Sequence, residues 1–121
     1  EQLQVITRKD VRFGILGYTY GLNGYVLPSG KEFMVDLIDK DKIKRDVEKL
    51  KKVSDVQIVS MHWGTEYSFE PNEEQKELAQ LLSDLGVDVI IGEHPHVIQP
   101  MDYVTGKDGN LFTWQFPVCT G

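Results

Sequence analysis

Short apolar runs alternate with charged, amphipathic segments along the first ninety residues, and this alternation constrains the fold more than any other feature. Val11 to Tyr18, Val56 to Met61 and Val87 to Ile91 are rich in Val and Ile and partly apolar on both faces. That is the pattern of buried parallel strands rather than of one-sided antiparallel ones. From about Asp41 to Val53, apolar residues fall at Ile43, Val47, Leu50 and Val53, with Lys, Arg, Asp and Glu between them. One apolar stripe on a solvated helix follows. Asp39 or Asp41 can cap its start, and Lys51 and Lys52 suit the negative end of its dipole. A second helix is predicted from about Glu73 to Leu85, with the stripe Leu78, Leu81, Leu82 and Leu85. Asn72 is a good N-cap, Gln75 holds the capping-box position and Gly86 is a natural C′ residue. Strand, helix, strand, helix, strand implies right-handed crossovers and an α/β fold with a mainly parallel βαβαβ sheet.

After Ile91 the pattern changes. His96 to Val104 is predicted as a short strand, Gly106 to Asn110 as a turn, and Leu111 to Phe116 as a last strand, giving a C-terminal antiparallel hairpin. Gly17 to Lys31, with five Gly or Pro positions at Gly17, Gly21, Gly24, Pro28 and Gly30, reads as a long ordered loop near a site. The 121 residues make one domain or a piece of one. The chain opens without Met and enters an apolar strand within about ten residues, so it is expected to begin in mid-fold. Nineteen acidic residues against 13 basic ones, a net charge of −6, argue against nucleic-acid binding. The single cysteine, Cys119, excludes an internal disulfide framework and a Cys-rich zinc site. No apolar run nears the ~18 residues of a membrane span.

The three histidines are where chemistry concentrates. His62 directly follows the second apolar run, and His94 and His96 directly follow the third. In a parallel α/β sheet both loops leave the same carboxyl edge, where ligands bind. Imidazole is a common ligand of zinc, iron and related ions. Two histidines one residue apart in extended backbone point the same way, and Pro95 biases His94 toward that conformation. Three histidines suffice for a mononuclear zinc site with an open position; His62 alone reads equally as a hydrogen-bonded loop residue. Hard ions want carboxylates as well, and Glu66, Glu70 and Glu93 are the candidates, each also readable as a solvated loop charge. Trp63 and Tyr67 either pack around the loop or line a substrate pocket. Tyr18 and Tyr20, at the end of the first run, read as packing. No Ser-His-Asp order, P-loop or dinucleotide glycine motif occurs.

The segments Ile15-Leu16-Gly17-Tyr18-Thr19-Tyr20-Gly21, Val59-Ser60-Met61-His62-Trp63-Gly64-Thr65-Glu66-Tyr67 and Gly92-Glu93-His94-Pro95-His96-Val97-Ile98-Gln99 resemble the bacterial capsule-synthesis CapA family, which includes poly-γ-glutamate synthesis accessory proteins. The match extends to about Val104. That family is similar in fold to the calcineurin-like metallophosphoesterases, α/β sandwiches with a two-metal site on loops at strand ends. The resemblance implies His62, His94 and His96 as metal ligands; Glu66, Tyr67 and Trp63, on the loop that follows His62, are the candidate substrate-binding residues. It implies divalent ions (Mn, Fe or Zn), two in the complete domain. It further implies a partner in capsule polymer or synthesis machinery, and an extracytoplasmic, membrane-associated setting.

The family's earlier Asp, Asn-Glu and Asn-Asn-His segments do not occur in these 121 residues. The chain is therefore expected to be the C-terminal half of the domain, half of a sandwich, with half a metal site of weak affinity and an uncovered apolar sheet edge or face. If the full-length protein is catalytic, the expected reaction is metal-assisted hydrolysis of the phosphoesterase-like kind, and this fragment by itself is expected to be inactive. The alternatives are a non-enzymatic polymer- or partner-binding accessory and an inactive gene fragment. Glu93 departs from the family's usual Ser or His. Residues 111–121 depart from its Tyr-Ser-Leu-Gly-Asn-Phe ending, as a one-nucleotide shift of reading frame near Asn110 would explain. On that reading Trp114 and Cys119 carry no function.

Overall fold

A computed structural model describes residues 3–107 and the backbone of residues 110–115. The readings of Trp114, Cys119 and the altered tail fall outside the described residues. A six-stranded sheet has the order β1-β2-β3-β4-β6-β5. Its strands are β1 (Gln4–Arg8), β2 (Val11–Thr19), β3 (Val56–His62), β4 (Val89–Glu93), β5 (Asp102–Thr105) and β6 (Asn110–Gln115). The four inner strands run parallel, while β1 and β5 pair antiparallel at the two edges. The helices are α1 (Lys40–Val53) and α2 (Glu73–Asp84).

Both helices start where the sequence predicts. Asp39 caps α1, its carboxylate accepting from the Lys42 backbone N–H at 2.8 Å. At α2 the Asn72–Gln75 capping box is complete, and Gly86 takes the left-handed backbone (φ 84°) that a C′ residue needs. The stripe residues Ile43, Val47, Leu78 and Leu82 are buried in one cluster with Tyr18, Val59, Met61 and Ile90, and Leu50 is fully buried as well. Val53, assigned to the first stripe, is instead 40% exposed.

Those sheet residues share one face, because register aligns Leu16 with Val59 and Ile90, and Tyr18 with Met61. Two right-handed crossovers moving the same way across the sheet put both helices on that face. The helix α1 comes so close that a Cβ on Gly14 would stand 2.6 Å from Leu50 Cγ and Ser54 Oγ. The opposite face carries Ile6, Phe13, Ile15, Val56, Ile58, Val89 and Ile91, none of them buried and Ile6 55% exposed. Among the described residues, neither α1 nor α2 covers this face.

Three expectations are corrected. The sequence reading has no strand before Val11, yet β1 is there; Lys9 and Asp10, both left-handed (φ 50° and 66°), form a two-residue hairpin turn into β2. The third parallel strand lies two residues later than predicted, with Val87 buried in the connection before it. The strand predicted over 96–104 is shorter and later, Asp102–Thr105, and residues 94–97 are bends. The C-terminal hairpin does form, with β6 on the inside against β4.

Candidate metal centre

Register sets the floor of the site. Thr19, His62 and Glu93 stand side by side at the carboxyl ends of β2, β3 and β4, on the face away from the helices. The backbone N–H of Tyr20 donates to the His62 carbonyl at 3.0 Å, and that of Trp63 donates to the Glu93 carbonyl at 3.2 Å. Neighbouring strand ends are thereby tied just where the loops depart.

The three imidazoles meet there. His62 and His94 ring centres are 4.7 Å apart, and those of His94 and His96 are 5.8 Å apart in an edge arrangement. His94 is buried and His96 half-buried. The pair is not presented by extended backbone as the sequence suggests. His94 has φ 100° and His96 φ 59°, so two left-handed residues flank Pro95. The Pro95 carbonyl accepts the Tyr67 N–H at 2.7 Å, and Tyr67 is itself left-handed (φ 59°). Tertiary bonding here overrides the local preference of a residue before proline.

Glu66 completes the group. Its Oε1 lies 3.9 Å from His94 Nε2 and 4.0 Å from His96 Nε2. One ligand atom from each of Glu66, His94 and His96 falls within 4.8 Å of the other two. Two donors bound to one ion at about 2.1 Å stand roughly 3.4 Å apart, so the three donors stand somewhat wider than the shell of one ion, and holding an ion would draw them together. Two imidazoles and a carboxylate suit zinc, iron or manganese. His62 lies beside this group, its ring against His94, and is not a member of it.

Burial pushes the His94 imidazolium pKa below its ordinary 6.5, and the neighbouring His62 and His96 push the same way against Glu66. His94 is thus biased toward the neutral form, the form that ligates.

The remaining predicted residues separate. Tyr67 is exposed and stacks on His96 with ring centres 5.8 Å apart. Trp63 is only 1% exposed and belongs to the core on the helix side. It lines a cavity of about 340 Å³ between α2 and the Pro100–Val104 segment, lined by none of the histidines, and its Nε1 has no hydrogen-bond partner among the described residues. Glu93 accepts from Ser60 Oγ at 3.2 Å. Tyr20, read from sequence as packing, does pack, but against the site: its ring lies 4.7 Å from His94 and 5.8 Å from His62. No sequence signal separates it from the buried Tyr18 two residues earlier: strand alternation would put both on one side, and Tyr20 differs because it lies just past the end of β2.

Residues 1–113 match the family model described as "Bacterial capsule synthesis protein PGA_cap". A Bacillus subtilis (strain 168) relative, PGA biosynthesis protein CapA, is 38% identical over 81 residues, which is 67% of this chain and 19% of the relative. Capsule biosynthesis protein CapA of Bacillus anthracis is 31% identical over 106 residues, 84% of this chain and 25% of the relative. The chain thus spans a quarter or less of these relatives' length. A Staphylococcus aureus structure, described as a candidate 5′-nucleotidase in complex with α-ketoglutarate, aligns with a TM-score of 0.57 at 16% identity. The alignment covers 93% of this chain and 23% of that one, a likeness of fold.

Proposed function

Because the chain belongs to the bacterial capsule-synthesis PGA_cap family, we propose that it supplies the histidine side of a divalent-metal centre in a protein of capsule or poly-γ-glutamate synthesis. The observation that carries this reading is the convergence of Glu66, His94 and His96, beside His62, at the carboxyl edge of a metallophosphatase-like sheet. His94 and His96 would hold the ion through Nε2 and Glu66 through a carboxylate oxygen. A divalent ion bound there acts as a Lewis acid and lowers the pKa of a bound water toward ~7. Tyr20 walls the imidazoles on one side, and Tyr67, stacked on His96, offers an aromatic surface to a substrate beside them. Hydrolysis is the reaction class this donor set serves, and a phosphoester is the substrate class that the fold suggests.

The further ligands of a two-ion site would come from residues outside these 121. The extracytoplasmic setting belongs to the same proposal and is tested by surface labelling of intact cells. Among the described residues no helix is long and apolar enough to cross a membrane.

A second reading, a metal-bearing accessory that binds polymer without cleaving it, is favoured by the relatives from Mycobacterium tuberculosis, described as polyglutamine synthesis accessory proteins and 33% identical over 57 residues. Metal content together with turnover of a phosphodiester and of poly-γ-glutamate, in the Mn²⁺-loaded full-length protein and in its His94→Ala variant, decides between them. Metal-dependent turnover lost in the variant supports the hydrolase. A fully loaded protein that turns over neither substrate supports the accessory, and a protein that retains no ion overturns both.

A further inference from the structure

Glu66 and the two paired histidines come from different loops, and two buried amides tie those loops together. Gln99 closes the loop that bears His94 and His96; Gln75 sits in the first turn of α2, which closes the loop that bears Glu66. Each is 2% exposed. Gln99 Nε2 donates to the Ser68 carbonyl at 2.8 Å and to the Glu70 carbonyl at 3.3 Å. Its Oε1 accepts from Gln75 Nε2 at 2.8 Å. Gln75 Oε1 in turn accepts the Asn72 N–H at 2.9 Å.

The two ends of this relay fix its polarity. Carbonyls can only accept, so they require the nitrogen of Gln99; the Asn72 N–H can only donate, so it requires the oxygen of Gln75. Neither amide can turn over without leaving buried groups unpaired, which costs about 1–3 kcal/mol each. The relay grips residues 68 and 70, immediately after Tyr67, whose N–H is already bound to the Pro95 carbonyl.

We propose that Gln99, supported by Gln75, is a positioning residue for the metal centre, holding the Glu66 loop at ligating distance from the His94–His96 loop. The proposal rests on the metal reading above, and its test separates the two. Mn²⁺ affinity is measured by calorimetry on the wild type, Gln99→Met, Gln99→Glu and a core control, Val47→Ala, which sits on α1 under the sheet. Contacts between the Tyr67 and His96 rings are followed by NMR in the metal-free proteins.

Gln99→Met is expected to weaken Mn²⁺ binding about tenfold or more, the usual scale for groups that orient ligands. Gln99→Glu, which can return one donor when its buried carboxyl is neutral, should fall between it and the wild type. Val47→Ala should lower the melting temperature and leave affinity within twofold. Affinity within twofold in Gln99→Met, or an equal loss in Val47→Ala, overturns the proposal. If Gln99→Met does not fold, Gln99→Glu decides by the same criterion. If the wild type itself takes up no Mn²⁺, the metal reading fails, and the ring contacts decide for the relay: lost in the Gln99 variant they sustain loop positioning, retained they overturn it.

Discussion

At the scale of single residues, the site is a balance between one carboxylate and crowded imidazoles. Removing the Glu66 charge in Glu66→Gln should weaken Mn²⁺ binding about tenfold or more, read by calorimetry, and should lower the His94 pKa further, because Glu66 is the group that raises it. In the wild type, the His94 NMR titration is expected to have its midpoint below 6.5. The sign for stability follows. An unfolded chain takes up its proton near pH 6.5 while folded His94 still resists, so the contribution of His94 is complete above pH 6.5 and is lost as pH falls from there through the folded value. A midpoint at or above 6.5 would contradict this. The histidines themselves were legible as residues that follow two parallel strands, since topology alone sends both loops off one edge. Their presentation was not legible. Proline at position 95 favours extended backbone at His94, and only the bonds from Trp63 and Tyr67 to that loop reveal why it turns the other way. Glu66 was one of three equivalent candidates in the sequence. What distinguishes it is that Glu93 is taken by Ser60, while position 70 meets the buried relay through its carbonyl.

Elements show the reverse balance. Both helices and their caps could be read directly, because a 3.6-residue stripe and a capping box are local signals. Substituting Asn72 by Ala removes acceptance of the Gln75 N–H and should cost about 1 kcal/mol in chemical denaturation. Gly14→Ala should cost more, about 1–3 kcal/mol, because its methyl would meet Leu50 and Ser54 in a close-packed contact between β2 and α1. A stability unchanged by Gly14→Ala would mean that α1 shifts freely on the sheet. β1 escaped notice for a physical reason. Its five residues, Gln4–Arg8, are all exposed, so burial imposes no period on them, and a Lys9-Asp10 turn lacks the glycine that usually marks a tight hairpin.

For the whole molecule, the two-sidedness of the sheet governs behaviour. One face is sealed by α1 and α2, and the other presents Phe13, Ile15, Ile58, Val89 and Ile91. An apolar surface of this breadth favours association. The 121-residue chain is expected to sediment with rising apparent mass as its concentration increases, and Ile15→Ser with Ile58→Ser should reduce that rise; a strictly monomeric wild type would count against it. Parallel architecture was legible because uniformly apolar strands alternated with helices, whereas the final strand order was not, since sequence proximity says nothing of which hairpin arm turns inward. That order has a consequence for synthesis. Among the described residues β6 is the strand beside β5 and also the one that closes β4. On the ribosome, β5 emerges first and must wait with its ladder groups unanswered, and β4 keeps a raw flank until the later segment slides in between. A nascent chain stalled before residue 110 would hold four paired strands and one orphan, so the arrival of β6, Asn110–Gln115, sets the moment at which the sheet becomes safe from its neighbours.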